Sequence, residues 1–228
     1  MSCKALNRNC EELLLDYAAG TLDQAHTLIV ATYLTLSPAA RRYVADCETL
    51  GGALMEHICD PVAVSEACLE QLLEKISCMN DPCAEEKACC NQSCIPCGEI
   101  LPAPIANALP PGMAGTLVWK KAFDGMIWVD VPVSACSSRV QLMRCAPGCI
   151  FPHHTHPGLE MTLVLEGAFR DEQGHYSRGD LLVMGGGENT GHRPVADAKT
   201  GCLCLSVTTQ PLRFSGFLTR LRNRMTGF

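Results

Sequence analysis

The chain has 228 residues, 47% of them apolar, so it is long enough for two small domains and can bury real cores. This composition excludes an intrinsically disordered protein. The net charge of −6 is unevenly distributed: residues 1–100 carry 6 basic and 15 acidic side chains, whereas residues 101–228 carry 12 and 9. The acidic first part favours a basic protein partner and argues against nucleic acid binding there. A solvated acidic helical surface would give the same charge pattern.

The N-terminal segment MSCKALNRNCEELLLDYAAG has no basic region followed by an apolar run, so we expect no signal peptide. We also expect no membrane span, because the sequence has no uninterrupted apolar stretch of about 18 residues. A cytoplasmic location is the default expectation. In that reducing compartment the 16 cysteines are expected to be thiols, metal ligands or redox-active groups rather than structural disulfides.

Residues 1–77 have the periodicity of a small helical bundle. A first helix is predicted within EELLLDYAAG, which ends at Gly20, and a second in QAHTLIVATYLTL, capped by Thr21 or Asp23. Ser37-Pro38 supplies an N-cap and a first-turn proline for a third helix. A fourth begins near Ser65, with four apolar residues on one face: Leu69, Leu72, Leu73 and Ile76.

Residues 78–115 break this pattern and are predicted to be a linker rich in cysteine and proline. Residues 101–115 hold four prolines, and we expect no periodic structure there. Five cysteines of the preceding stretch form a candidate second metal or redox site, because neighbouring thiolates bind soft metals or form disulfides: Cys83, Cys89, Cys90, Cys94 and Cys97. A merely cysteine-rich linker remains the alternative.

Residues 116–228 consist of short segments rich in β-branched residues, which predicts an all-β barrel or sandwich. The chain ends in PLRFSGFLTRLRNRMTGF, a basic amphipathic tail. Such tails bind membrane surfaces in some proteins, but packing onto the barrel is the favoured interpretation here.

The segment HHTHPGLE, residues 153–160, contains a candidate metal site. His154 and His156 point to the same side of an extended strand, and Glu160 follows after a Pro-Gly turn. His192, in the later segment GGGENTGHRP, can supply a fourth ligand. Three imidazoles and a carboxylate bind first-row divalent metals. We expect zinc at this site, with iron, manganese and nickel as alternatives. His153 is expected to point away from the site.

The spacing of Gly148, His154, His156, Glu160 and Gly167 matches the first motif of the cupin barrels. The second motif is altered, because Gly185 stands where the pattern usually has proline. The segments GLEMTLVLEGAFRDE, GHRPVA and PLRFSGFLTRL resemble the cupin domain of ChrR-type anti-sigma factors. The N-terminal LLLDYAAGTLDQAHTLIVATYLTLSPAARR and LGGALME resemble the sigma-binding helical domain of the same family.

This resemblance implies a helical domain that holds an alternative, extracytoplasmic-function sigma factor inactive, and a metal-binding cupin domain that senses an oxidative signal. It places the sigma-binding region in the first two helices: Leu13, Leu14, Tyr17, Leu28 and Tyr33. Whether the cupin domain forms a homodimer is left open. The competing hypothesis is a cupin metalloenzyme of the dioxygenase kind with a helical interaction domain.

One departure from the family lies in the helical domain. The family's zinc motif there, H-x3-C-x2-C with an upstream histidine, aligns with Tyr33, Ser37 and Ala40 and a position near Arg8. These residues form no ordinary zinc site, so this first zinc site is not expected. Cys10 and Cys47 either form a displaced pair or, as we favour, are ordinary thiols.

Overall fold

The computed structural model describes residues 8–58, 60, 63, 65–79, 101–109, 117–134, 136–185 and 191–215. It has four helices in the first part of the chain and a fifth before the sheet: α1 (Arg8–Ala18), α2 (Gln24–Leu36), α3 (Pro38–Ile58), α4 (Glu66–Met79) and α5 (Ala103–Ala108). The side chain of Asp23 caps α2 by accepting a hydrogen bond from the His26 N–H at 2.9 Å. Ser37 caps α3, with its Oγ accepting from the Ala40 N–H at 3.2 Å. None of the described helices is long and apolar enough to cross a membrane.

The part of the chain that the structure describes has ten strands after these helices: β1 (Lys120–Phe123), β2 (Met126–Asp130), β3 (Arg139–Cys145), β4 (His154–Thr155), β5 (Glu160–Arg170), β6 (His175–Ser177), β7 (Leu181–Met184), β8 (Val195–Ala196), β9 (Cys202–Thr208) and β10 (Arg213–Phe214). All pairings are antiparallel. The main sheet has the order β1-β2-β3-β9-β5-β6, β7 and β8 also pair with β5, and β10 pairs with β4. The predicted helical bundle followed by a cupin-type β-domain is thus confirmed.

The two faces of the central strands have different roles. Side chains alternate between faces along a strand. On β9, Leu203, Leu205 and Val207 belong to the core shared with the helices, whereas Cys202 and Cys204 belong to a second core inside the β-domain. The sheet therefore packs against the helices on one face and lines the interior of the β-domain with the other.

Helices α1 and α2 pack on the outer face of the sheet. Helix α2 contacts β5 and β9, and α1 contacts β7. Leu14 and Ile29 are completely buried and share one core with Leu163 and Leu205 of the sheet. The Cys10 thiol also lies 3.9 Å from the carbonyl oxygen of Leu181. The helices and the sheet thus share a continuous apolar interface.

The linker prediction is wrong for residues 101–109. This stretch contains α5, which packs against α2. Three residues four apart, Leu101, Ile105 and Leu109, are buried in the shared core, and Pro102 and Pro104 stand at the start of the helix, where proline is tolerated. Four prolines and two glycines in residues 101–115 masked the signal of this six-residue helix. At the other end, α4 extends the helical region to Met79.

The end of α3 and all of α4 expose apolar side chains. On α3 the exposed fractions are 62% for Leu50 and 74% for Ile58. Every described side chain of α4 is exposed, including the predicted apolar face: Leu69, Leu72, Leu73 and Ile76. Exposed contiguous apolar faces mark interaction surfaces in soluble proteins.

Candidate metal site in the cupin domain

The structure brings the four predicted ligands together. The ligand atoms of His154, His156, Glu160 and His192 all lie within 4.8 Å of one another, and all four residues are buried. His154 belongs to β4, Glu160 opens β5, and His156 lies in the turn between them. His153, as expected, is exposed.

Backbone hydrogen bonds hold His154 and His192 opposite each other. His154 and His192 form an antiparallel bridge, with N–H to carbonyl distances of 3.2 and 3.0 Å. The Nδ1 of His154 is 2.9 Å from the Pro152 carbonyl oxygen, and the Nδ1 of His192 is 2.7 Å from the Asp171 carboxylate. Both rings therefore turn Nε2 inward, where the two Nε2 atoms are 3.0 Å apart.

Glu160 is held by two hydroxyl groups of the sheet. Its Oε1 accepts hydrogen bonds from Thr162 at 3.1 Å and from Ser206 at 3.4 Å. Thr162 and Ser206 face each other in the β5–β9 register. The other carboxylate oxygen, Oε2, makes an ion-pair contact with Nδ1 of His156. The sheet thus fixes the carboxylate and leaves one oxygen directed at the histidines.

The electrostatics of His154 and Glu160 suit a bound cation. Burial lowers the pKa of His154 to about 3, so its ring is neutral at neutral pH. Burial alone would raise the pKa of Glu160, but the hydrogen bond with His156 and the three imidazoles lower it to about 2. Neutral imidazoles beside an ionised carboxylate are the ligand forms that bind divalent metals.

The site also has a polar atom that no described group satisfies. The Nε2 of His156 is buried without a hydrogen-bond partner. Unpaired buried polar atoms are costly. The Nε2 atoms of His154 and His192 face each other at 3.0 Å, an arrangement that a shared ligand would explain. The residues fit a bound divalent cation.

A cavity of about 450 Å³ opens from these ligands into the β-domain. Apolar side chains, among them Met126, Phe151 and Phe169, form much of its wall. A mostly apolar cavity with a few convergent polar groups is typical of small-molecule sites.

The altered second cupin motif has a local explanation. Gly185 has a φ of 125°, and a Cβ there would lie 2.3 Å from the carbonyl oxygen of Gly158. Proline, whose ring holds φ near −65°, is incompatible with this conformation. The turn that carries Glu160 approaches β7 so closely that only glycine fits.

Sequence reasoning missed the groups that support the ligands. Asp171, Thr162 and Ser206 contact ligands directly, but their roles depend on the strand register and on the turn after β5. The alternation CLCLS indicates that Ser206 shares a face with Cys202 and Cys204. Only the pairing of β9 with β5 shows that this face carries Glu160.

The helical domain does not fit the family's first zinc site. Tyr33 and Ala40 are buried in the apolar core, and Ser37 serves as the cap of α3. Cys10 lies against Leu181, whereas Cys47 lies beside Tyr43. Cys10 is buried and Cys47 is half-buried, and these separate surroundings favour ordinary thiols over a displaced metal pair.

The other predicted site residues are placed as follows. In the predicted sigma-binding region, Leu14, Leu28 and Tyr33 are buried, and Leu13 and Tyr17 pack partly buried against the same core. A partner cannot reach the buried three in this conformation. The five cysteines of the predicted second site lie outside the described residues, as does the tail after residue 215.

These features define a class: a cupin barrel with a buried three-histidine, one-glutamate site, packed against a small helical domain. A family model for the ChrR cupin-like domain matches residues 114–212. The anti-sigma-E factor ChrR of Cereibacter sphaeroides is 34% identical over 212 residues, covering 92% of this chain and 93% of that protein. The chain therefore belongs to the ChrR family of anti-sigma factors.

One solved structure supports this membership. The structure of Rhodobacter sphaeroides SigE in complex with the anti-sigma ChrR is 32% identical and matches with a TM-score of 0.68, covering 87% of this chain and 96% of that one. KdgF from a Halomonas species matches at 20% identity and a TM-score of 0.35, covering 41% of this chain.

Proposed function

We propose that this chain is an anti-sigma factor: its helical domain holds an alternative sigma factor inactive, and its cupin domain triggers release on an oxidative signal. The observation that carries the proposal is the similarity to an anti-sigma factor over 92% of the chain, through both domains. A chain that shared only the barrel with its relatives would leave the output unknown.

The exposed apolar face of α4 is the surface we assign to the sigma factor. Leu72 and Leu73 are 54% and 55% exposed, and the first 100 residues are strongly acidic. An amphipathic helix whose described side chains are all exposed suits docking into an apolar groove. This assignment replaces the buried residues of α1 and α2 named from the resemblance.

The cupin site is proposed to bind one divalent metal, zinc first, with iron, manganese and nickel compatible with the same ligands. Bound there, such a cation would hold β4, the start of β5 and the loop of His192 in one arrangement. An oxidative change near it must favour the sigma-free state to cause release, because a signal shifts an equilibrium only by its differential effect on two states. A second metal or redox site in the cysteine-rich stretch remains a separate proposal.

The test is binding of the purified chain to an alternative sigma factor of its own organism, with two matched variants of α4. Leu72→Asp places a charge on the apolar face, and Gln71→Asp places the same charge on the opposite side of the helix. We expect Leu72→Asp to weaken binding at least about tenfold, as truncation of a buried interface anchor does, and Gln71→Asp to bind like the native chain. Equal affinities for both variants would remove α4 from the interface, and absence of binding by the native chain would reject the function.

A second candidate function, a cupin metalloenzyme, is favoured by one observation: the ligand set opens into a cavity of about 450 Å³. Open coordination positions beside such a cavity allow metal-dependent oxygenase chemistry in principle. Oxygen consumption by the iron-loaded chain with small organic substrates would support it. Sigma binding without turnover would exclude it.

A further inference from the structure

Four cysteines line the same cavity as the metal ligands. Cys145 ends β3, Cys149 follows in the next turn, and Cys202 and Cys204 lie on β9. They belong to the internal layer of the sheet, since their β9 neighbours Leu203 and Leu205 face the helices. All eight cysteines whose side chains the structure describes are thiols.

Cys145 is the centre of this group. Its thiol contacts those of Cys149 and Cys202, and Cys202 also contacts Cys204. In the β3–β9 ladder Cys145 stands directly opposite Cys202. Opposed residues of antiparallel strands have Cα atoms about 4.5–5.5 Å apart, inside the range of about 4.4–6.8 Å that disulfides span.

The other pairings are less suited to a disulfide. Cys202 and Cys204 are two residues apart on one strand, which separates their Cα atoms by about 6.6 Å, at the upper limit of that range. The Cys149 thiol, besides its contact with Cys145, donates to the carbonyl oxygen of Asp124 at 3.4 Å, and it lies outside the β3–β9 ladder. The register singles out Cys145 and Cys202.

We propose that Cys145 and Cys202 form a redox site in which a hydroperoxide converts the two thiols into a disulfide joining β3 to β9 inside the cavity. Cys202 is the attacking group. Hydrogen bonds from Cys145 and Cys204 lower its pKa, which favours the thiolate, and the thiolate is the reactive form.

The chemistry balances with the hydroperoxide as the only oxidant. The Cys202 thiolate attacks the distal peroxide oxygen, the O–O bond breaks, and the alkoxide takes up a proton and leaves as an alcohol, or as water from hydrogen peroxide. The sulfur of Cys145 then attacks the sulfenic acid on Cys202, the S–O bond breaks, and the oxygen leaves as water with the Cys145 proton. The two thiols supply the two electrons.

The disulfide would change the sheet that lies between the proposed metal site and the helices. Leu203, next to Cys202, is buried in the core that α1 and α2 share with the sheet. A disulfide across the end of the β3–β9 ladder would therefore also shift side chains on the face that packs against the helices. This consequence for sigma release rests on the proposed function, whereas formation of the disulfide does not.

The test is peptide mapping of the native full-length, zinc-loaded chain, without any sigma factor, after treatment with hydrogen peroxide and alkylation of the remaining thiols. We expect a cross-linked peptide that joins Cys145 to Cys202. Full alkylation of both residues after peroxide, or a bond from Cys202 to any other cysteine, would overturn the proposal. Because the native chain is mapped, the result does not depend on how a variant folds.

Two variants sharpen this test. Cys145→Ser cannot form the cross-link and should leave a sulfenic acid on Cys202 that dimedone traps, at a level at least tenfold above that in the native chain. Cys136→Ser, which changes a half-buried thiol of the same domain outside the group, should form the cross-link at the native yield. Disulfide formation by Cys202 at the native rate in Cys145→Ser would contradict the assigned pair.

Discussion

At the scale of single residues, the candidate site depends on groups that orient its ligands. His154 is oriented by a backbone carbonyl, whereas His192 is oriented by the carboxylate of Asp171, which is itself completely buried. A carboxylate on the far nitrogen fixes the tautomer of a ligating histidine and raises its basicity. Asp171 is therefore a positioning residue for the proposed metal.

We predict that Asp171→Ala lowers metal affinity by about 10–100-fold, the usual effect of removing such a partner. Asp171→Asn keeps a hydrogen-bond acceptor and should lose less. Competition with a chromogenic chelator measures both affinities on the folded chain. Native affinity in Asp171→Ala would show that the carboxylate does not support the site.

The sequence predicted the four ligands but not their supports. Spacing within one strand and turn is a local property, so His154, His156 and Glu160 could be read from eight residues. Asp171, Thr162 and Ser206 come from distant segments that only the register of β5 and β9 and the turn after β5 bring close. The pocket cysteines were missed for the same reason, because Cys145 and Cys202 are neighbours only across two strands.

At the scale of elements, the glycines that frame the first cupin motif make a matched pair. Gly148 and Gly167 have φ values of 71° and 66°. A Cβ on Gly148 would meet nothing within 4 Å, whereas one on Gly167 would lie 2.1 Å from the carbonyl oxygen of Gly201. The two positions share a positive φ but differ in the space available for a Cβ.

We predict that Gly148→Ala costs about 1–2 kcal/mol of unfolding free energy, the price of a left-handed conformation for a residue with a Cβ. Gly167→Ala should lose about 1–3 kcal/mol more, because β5 must also move away from the turn before β9. Urea denaturation measures both. Equal losses would mean that the close approach at Gly167 relaxes without cost.

Most elements could be predicted from sequence, and the exceptions have physical reasons. The helices α1 to α4 follow apolar periodicity and capping residues, and the longer strands follow β-branched runs. The two-residue strands β4, β8 and β10 are too short to show alternation. Helix α5 has too few residues for a periodic pattern, and its stability comes from the burial of Ile105 against α2.

At the scale of the whole molecule, the shared core predicts that the helices and the sheet unfold together. Ile29 of α2 is completely buried in that core. Both tryptophans, Trp119 and Trp128, lie in the β-domain, so their fluorescence reports on the barrel while circular dichroism at 222 nm reports mainly on the helices.

We predict that Ile29→Ala costs about 2–5 kcal/mol and lowers both thermal midpoints together. Leu54→Ala, at a position that is 48% exposed, should change each midpoint little, as surface substitutions do. A drop in the dichroism midpoint without a change in the fluorescence midpoint would show that the two parts are stable independently.

The proposed function requires one chain to combine sigma binding with a metal in the cupin domain. Purification of the chain from its own cells, with identification of bound proteins and metal analysis on the same sample, tests both at once. We predict a one-to-one complex with an alternative sigma factor and a divalent metal that is lost when His156 is replaced by alanine but retained when His153 is replaced by alanine. A chain that carries a redox-active metal, consumes oxygen and brings no sigma factor would contradict it.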